Sequence, residues 1–195
     1  YRPGALVLLG SPSFRQSREL FSKVTEFRKR LDPDLKLAED NKTSFELANG
    51  SRVVCLPGTA ETVRGFSAPA LIIEDEAAFV DDAFNRAVRP MLAVSNGRLI
   101  LMSTPNGQRG HFHEAWSKGG EDWERVEVPA SKCPRITLEF LEQERRALGE
   151  HHFRQEYQCE FVDSAHQLFR SADIERAITD DVKPLFLPTT SDVKP

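Results

Sequence analysis

The apolar run Ala70-Leu71-Ile72-Ile73 breaks directly into three acids, Glu74-Asp75-Glu76, and no other segment restricts the fold of this chain as tightly. A compact apolar block of this kind suits a strand buried on both faces, as in the middle of a parallel sheet. Acids that follow such a strand stand at its carboxyl end, where open α/β sheets bind their ligands. A second block, Leu99-Ile100-Leu101-Met102, runs into Ser103-Thr104-Pro105-Asn106-Gly107 and sets two hydroxyls at the same edge. Between the blocks Phe84, Val88, Met91 and Leu92 recur at helical intervals, and Pro90 is expected to break that helix.

The remaining pattern repeats this alternation. Ala5–Leu9 is a third apolar run, ended by Gly10, and Leu20, Val24, Phe27 and Leu31 mark one face of a helix over Phe14–Leu31. Ser44–Leu47 and Arg52–Leu56 flank Asn49-Gly50, a pair suited to the positive φ angles of a tight turn, so a β-hairpin is expected there. Trp123–Val128 reads as another strand. Thr137 can cap a helix carrying Phe140, Leu141 and Leu148, which resumes over Glu150–Tyr157 after a break at Gly149. A short helix is expected near Asp173–Ile178, and the Pro- and Thr-rich end from Lys183 reads as a linker or tail. Strands alternating with helices predict a three-layer α/β domain with a mostly parallel sheet, taken to occupy residues 1–165 with a tail over 166–195.

Charge and cysteine content narrow the function classes. With 26 Lys and Arg against 30 Asp and Glu, the net charge of -4 lacks the basic excess of an autonomous nucleic-acid binder, so any DNA contact is local. Cys55, Cys133 and Cys159 are odd in number and far apart, which speaks against a disulfide framework and fits a reducing, cytoplasmic setting. No stretch approaches the roughly 18 apolar residues of a membrane helix. His111, His113, His151 and His152 read as solvated helix-surface residues rather than metal ligands, and no structural metal is expected. Arg15, Arg18, Lys23, Arg28, Lys29 and Arg30 read as a solvated helix face in preference to a phosphate-contacting patch. Phe112 and Trp116, four residues apart, are expected to pack rather than to stack on bases.

The acids carry the chemical argument. A nucleotide hydrolase needs one carboxylate to help hold Mg²⁺ near the phosphates and a second to orient or deprotonate the attacking water. Asp75 and Glu76 suit these roles, since side chains alternate along a strand and neighbours need not compete for one position. A solvated strand end is the competing reading. Glu74 stands where such motifs carry an apolar residue, which leaves Glu74 with Asp75 as an alternative register. Ser103 and Thr104 can hydrogen-bond a phosphate or the reacting water, or simply reverse the chain.

Taken together, Ser11–Ser17, Asn49-Gly50-Ser51-Arg52, Arg64-Gly65, Ile73–Val80 and Ser103–Gly107 resemble, in order and spacing, the large terminase subunit of tailed bacteriophages and prophages. The resemblance spans most of Ala5–Ile178. It implies a P-loop NTPase-like (ASCE/RecA-like) domain that packages double-stranded DNA, using ATP and Mg²⁺ in the intact parent. It further implies a Walker B pair with Asp75 on the magnesium side, through water, and Glu76 as catalytic base. By the same resemblance Ser103 and Thr104 belong to the coupling motif at the nucleotide, and Arg64 is the arginine that reaches a neighbouring subunit's nucleotide. The implied partners are double-stranded DNA, a small terminase subunit, a portal protein and copies of the chain in a ring, without a membrane, in the bacterial host cytoplasm.

One part of the pattern is missing. A phosphate-binding loop requires G-x-x-x-x-G-K-[ST], and the sequence contains no Gly-Lys pair. In the family that loop lies upstream of the segment beginning at Ala5, and a nuclease domain follows the ATPase domain. The chain therefore reads as an N-terminally truncated ATPase fragment without nuclease residues, weak or inactive alone, with an exposed apolar sheet edge prone to self-association, swapping or coverage by another element. The alternatives are a helicase-like P-loop ATPase fragment and a non-catalytic prophage remnant that acts only in binding.

Overall fold

Alternation along the apolar runs builds a sheet covered on both faces. In the computed structural model, which describes residues 3–163 and 171–178, the strands are β1 (Leu6–Ser11), β2 (Leu37–Asp40), β3 (Ser44–Leu47), β4 (Arg52–Pro57), β5 (Leu71–Asp75) and β6 (Arg98–Met102). They form one sheet in the order β2-β3-β4-β1-β5-β6. Strands β4, β1, β5 and β6 are parallel, while β2 and β3 form an antiparallel extension. Contacts divide the chain into two units, Tyr1–Val162 and Asp163–Pro195; in the second, the described structure is a helix, α6 (Ser171–Ala177), where a short helix is expected. The expected tail from Lys183 lies outside the described residues.

On one face Leu6, Leu8 and Ile72 meet Val63 of α2 (Ala60–Val63) and Phe84 and Val88 of α3 (Asp82–Ser95). On the other, Leu9 and Cys55 meet Phe21 of α1 (Phe14–Leu31) and Phe45 of β3. The result is the three-layer arrangement, with Leu8, Ile72, Phe84 and Val88 fully excluded from water. Burial of each such side chain contributes roughly 1.5–3 kcal/mol. Ser13 caps α1 by accepting the Gln16 N–H, and Arg28, Lys29 and Arg30 in the last turn complement the helix dipole. The buried Ser17 hydroxyl donates to the Leu56 carbonyl at 2.5 Å and ties α1 to β4.

Several expectations change in detail. The hairpin between β3 and β4 forms, but only Gly50 takes a positive φ (78°); the Asn49 side chain instead accepts the Ser51 N–H. Pro90 does not break α3, which continues to Ser95. Pro90 is exposed, so the carbonyl it leaves unpaired can bond water, while Val88 and Leu92 hold the helix against the core. Trp123–Val128 is not a strand: among the described residues it has no ladder partner, and Val126 and Val128 are exposed. There the Arg125 guanidinium instead donates to the carbonyls of Ala115, Trp116, Gly120 and Trp123. Strand β2, with mostly exposed residues, is missed by the apolar pattern. Helix α4 (Gly110–Lys118) places Phe112 and Trp116 against Phe161, as packing residues. Helix α5 (Leu138–Gln158) is capped by Thr137 and interrupted at Gly149, both as expected. No described helix is long and apolar enough to cross a membrane.

Candidate active site

Because β4, β1, β5 and β6 run parallel, their carboxyl ends collect Pro57, Ser11, Asp75 and Met102 on one edge. Immediately beyond Asp75 the backbone of Glu76 turns into the left-handed region, with φ 53° and ψ 43°. A non-glycine residue held there costs on the order of 1–3 kcal/mol and concentrates at functional sites. The turn is fixed by a short 3-10 segment, Ala77–Phe79, whose Phe79 N–H donates to the Glu76 carbonyl at 2.9 Å. Pairing of Asp75 with Met102 sets the next residues, Glu76 and Ser103, side by side.

Burial pushes the Glu76 carboxyl above its ordinary value of 4.5, and the negative charges of Asp75 and Glu156 push it further; Ser103 draws it partly back. The Ser103 hydroxyl is itself buried without a partner in hydrogen-bond geometry. Its effect on the Glu76 carboxyl is that of a hydrogen-bond donor, which lowers the pKa. Thr104 is half-buried and makes no hydrogen bond among the described residues. Asn106 Nδ2 donates to the Ala78 carbonyl at 3.4 Å, joining the loop after β6 to the turn after β5. Arg64, the C-cap of α2, is exposed and has no ion-pair partner among the described residues. Asp75, Glu76 and Ser103 are brought together at this edge, and Arg64 is not among the groups that act on Glu76.

Glu74 is wholly buried, on the face of β5 that it shares with Ile72. Its Oε1 accepts from Asn85 Nδ2 at 3.1 Å, and its Oε2 lies 2.8 Å from His111 Nε2. His111 Nδ1 lies 2.9 Å from Asp82 Oδ1, and the same oxygen accepts the His111 backbone N–H at 2.9 Å. Burial opposes charge on the imidazole, but the hydrogen bonds to Glu74 and Asp82 outweigh it and raise the pKa of His111 above 6.5. The His111 backbone and ring in turn lower the pKa of Asp82. In the alternative register, Glu74 with Asp75, Glu74 has no solvent-facing surface and both its oxygens are engaged.

Residues 3–176 match the family described as terminase large subunit, T4likevirus-type, N-terminal. The chain belongs to this family. This terminase chain is 31% identical over 175 residues to the terminase large subunit of Escherichia phage T5, covering 86% of its own length and 40% of that relative. It is 24% identical over 208 residues to the large subunit of Thermus phage G20c, covering 89% of itself and 43% of the relative. It thus spans less than half the length of these curated relatives. Among solved structures it resembles the large terminase ATPase domain of Thermus phage P74-26 (TM-score 0.60, 21% identity, 83% of this chain and 78% of that one). It also resembles the large terminase of a thermophilic bacteriophage solved in complex with ADP (TM-score 0.68, 11% identity, 83% and 42%). These likenesses show that the chain has the fold of large terminase ATPase domains, an α/β fold with a mostly parallel sheet.

The terminase chain also has functional candidates that its sequence pattern does not flag. The reading of His111 as a solvated histidine is corrected: its side chain is 10% exposed and lies between two carboxylates. The available signal is Glu74 itself, because an acid inside a buried strand requires donors. Glu156, distant in sequence, acts on Glu76 only through the fold. Among the described residues no cluster of three or more His, Cys, Asp or Glu is placed to hold a metal ion. Magnesium, however, takes one or two carboxylates and completes its shell with water and phosphate. Half-buried Asp75 beside Glu76, with the orphaned Ser103 hydroxyl, fits such a nucleotide-bound cation.

Proposed function

We propose that this terminase chain carries the acid-pair half of an ATP-hydrolysing motor domain that drives double-stranded DNA into phage proheads. The observation that carries the reading is Glu76: a strained, left-handed residue at a parallel strand end, with its proton affinity raised beside Asp75. A base works best when its pKa approaches the working pH, and the elevation of Glu76 moves it in that direction. Bound Mg²⁺-ATP supplies the phosphoryl group and neutralises its charge. Asp75 would hold the cation, chiefly through water, and Glu76 would take the proton of the attacking water. Ser103 would orient that water or a phosphate oxygen, Thr104 would sit beside it in the coupling loop, and Arg64 would act on a neighbouring copy's nucleotide. Double-stranded DNA, a small terminase subunit, a portal protein and a ring of its own copies are the proposed partners, in the host cytoplasm.

The sequence has no Gly-Lys pair to build a phosphate-binding loop, so the 195-residue chain alone should hydrolyse ATP weakly or not at all. The test belongs in the complete terminase polypeptide containing this segment. Glu76→Gln should abolish Mg²⁺-ATP turnover while retaining nucleotide binding, and Asp75→Asn should weaken magnesium-dependent binding. Full turnover by Glu76→Gln would refute the assignment.

A further inference from the structure

Glu74, Asn85, Asp82 and His111 form a polar cluster that has no role in the hydrolytic reading above. They come from three elements, β5, α3 and α4, and Glu74 immediately precedes the acid pair. A carboxylate with no solvent exposure on an apolar sheet face needs a donor for each oxygen. Asn85 supplies one and His111 the other. Both nitrogens of the His111 ring face carboxylate oxygens, at 2.8 and 2.9 Å, so with both acids ionised each nitrogen donates. The charged groups around the ring are Glu74 on β5 and Asp82 on α3, with Arg86 of α3 acting on Asp82.

The cluster also brackets the loop over residues 103–109. At its start Ser103 lies beside Glu76 through the β5–β6 pairing, and in its middle Asn106 donates to Ala78. At its end Gly110, with φ 77°, turns the chain into α4, where His111 returns to Glu74. Two side-chain hydrogen bonds and the adjoining β5–β6 pairing therefore tie this loop to the segment 74–78.

We propose that His111 is a positioning residue: by bridging the buried Glu74 carboxylate to Asp82, it holds the strand end bearing Asp75 and Glu76 in register with the loop bearing Ser103 and Thr104. The proposal rests on the reading of that edge as the hydrolytic site. A bridge across three elements transmits any shift of the strand end to α4, whereas an isolated core ion pair only adds stability.

The test compares His111→Ala and His111→Gln; the glutamine keeps one donor towards Glu74 and serves if the alanine variant does not fold. In this chain, amide hydrogen exchange should rise at least tenfold over residues 103–110 and 75–78 while β1 and β4 stay protected. In the complete terminase, kcat for ATP should fall about tenfold with KM changed less than twofold. Unchanged exchange and kcat in a folded variant, or exchange rising uniformly across the domain, would overturn the proposal. Full turnover by Glu76→Gln would instead strike the hydrolytic reading, leaving the exchange result to judge His111 as a structural bridge.

Discussion

The ring of Phe84 stands 2.8 Å from where a β-carbon on Gly10 would lie, so β1 and α3 approach each other as closely as a glycine allows. Gly10 lies one residue before the carboxyl end of β1, and Phe84 is wholly buried. Gly10→Ala must displace the ring and should cost about 1–3 kcal/mol, as overpacking does. A Phe84→Leu substitution in the same chain should recover part of that loss. Urea unfolding of the two single variants and the double variant checks it, and strict additivity would show the contact to be unimportant.

Glu76 should be a stability liability at neutral pH. Its folded-state pKa lies above 4.5, chiefly through burial, so the native state binds the proton more tightly than the unfolded chain does. Its contribution is favourable below pH 4.5 and is lost as pH rises towards and through the raised value. Glu76→Gln should therefore melt higher than the parent chain at pH 7 and equal to it below about pH 4. Thermal unfolding at the two pH values decides it; a lower melting temperature at pH 7 would be inconsistent with the burial argument.

The His111 cluster predicts a different profile. His111 is raised above 6.5, so its contribution is complete below that pH and is lost as pH rises through the raised value. Asp82 is lowered below 3.8, so its contribution is present above that pH and is lost as pH falls. The stability difference between the parent chain and His111→Gln should be largest between roughly pH 4 and 6.5 and shrink towards pH 9. Denaturant midpoints across that range, with the His111 ring titration followed by NMR, test the window.

Arg64 separates fold from function. It is exposed and unpaired among the described residues, so Arg64→Ala should change stability by less than about 0.5 kcal/mol. If it serves a neighbouring copy's nucleotide, the same change should reduce ATP turnover of the assembled terminase by roughly 10³-fold or more. Equal turnover in the assembled variant and parent would remove Arg64 from the site.

Features set by neighbouring residues were legible in the sequence, and those set by the sheet were not. Helix α1 and its Ser13 cap, the turn at Gly50 and the break at Gly149 depend on residues a few positions apart. Pro90 and Trp123–Val128 depend on distant structure: core packing carries α3 past a proline, and a β-like pattern remains unpaired where no described strand lies alongside. The same divide holds at the site. Asp75, Glu76 and Ser103 follow strands that apolar runs reveal, whereas the bond between Glu74 and His111 spans 37 positions and has no local signature.

Among the described residues the two edge strands of the sheet differ in character. Strand β2 is short and ends in exposed Glu39 and Asp40, a rim that repels added strands. Strand β6 is the last strand at the opposite side among the described residues, with Ile100 and Met102 42% and 40% exposed. Two copies that pair through β6 use the same surface on each molecule and close around a two-fold axis. A contact of this kind saturates the β6 edge of both copies and so would not propagate into a fibre.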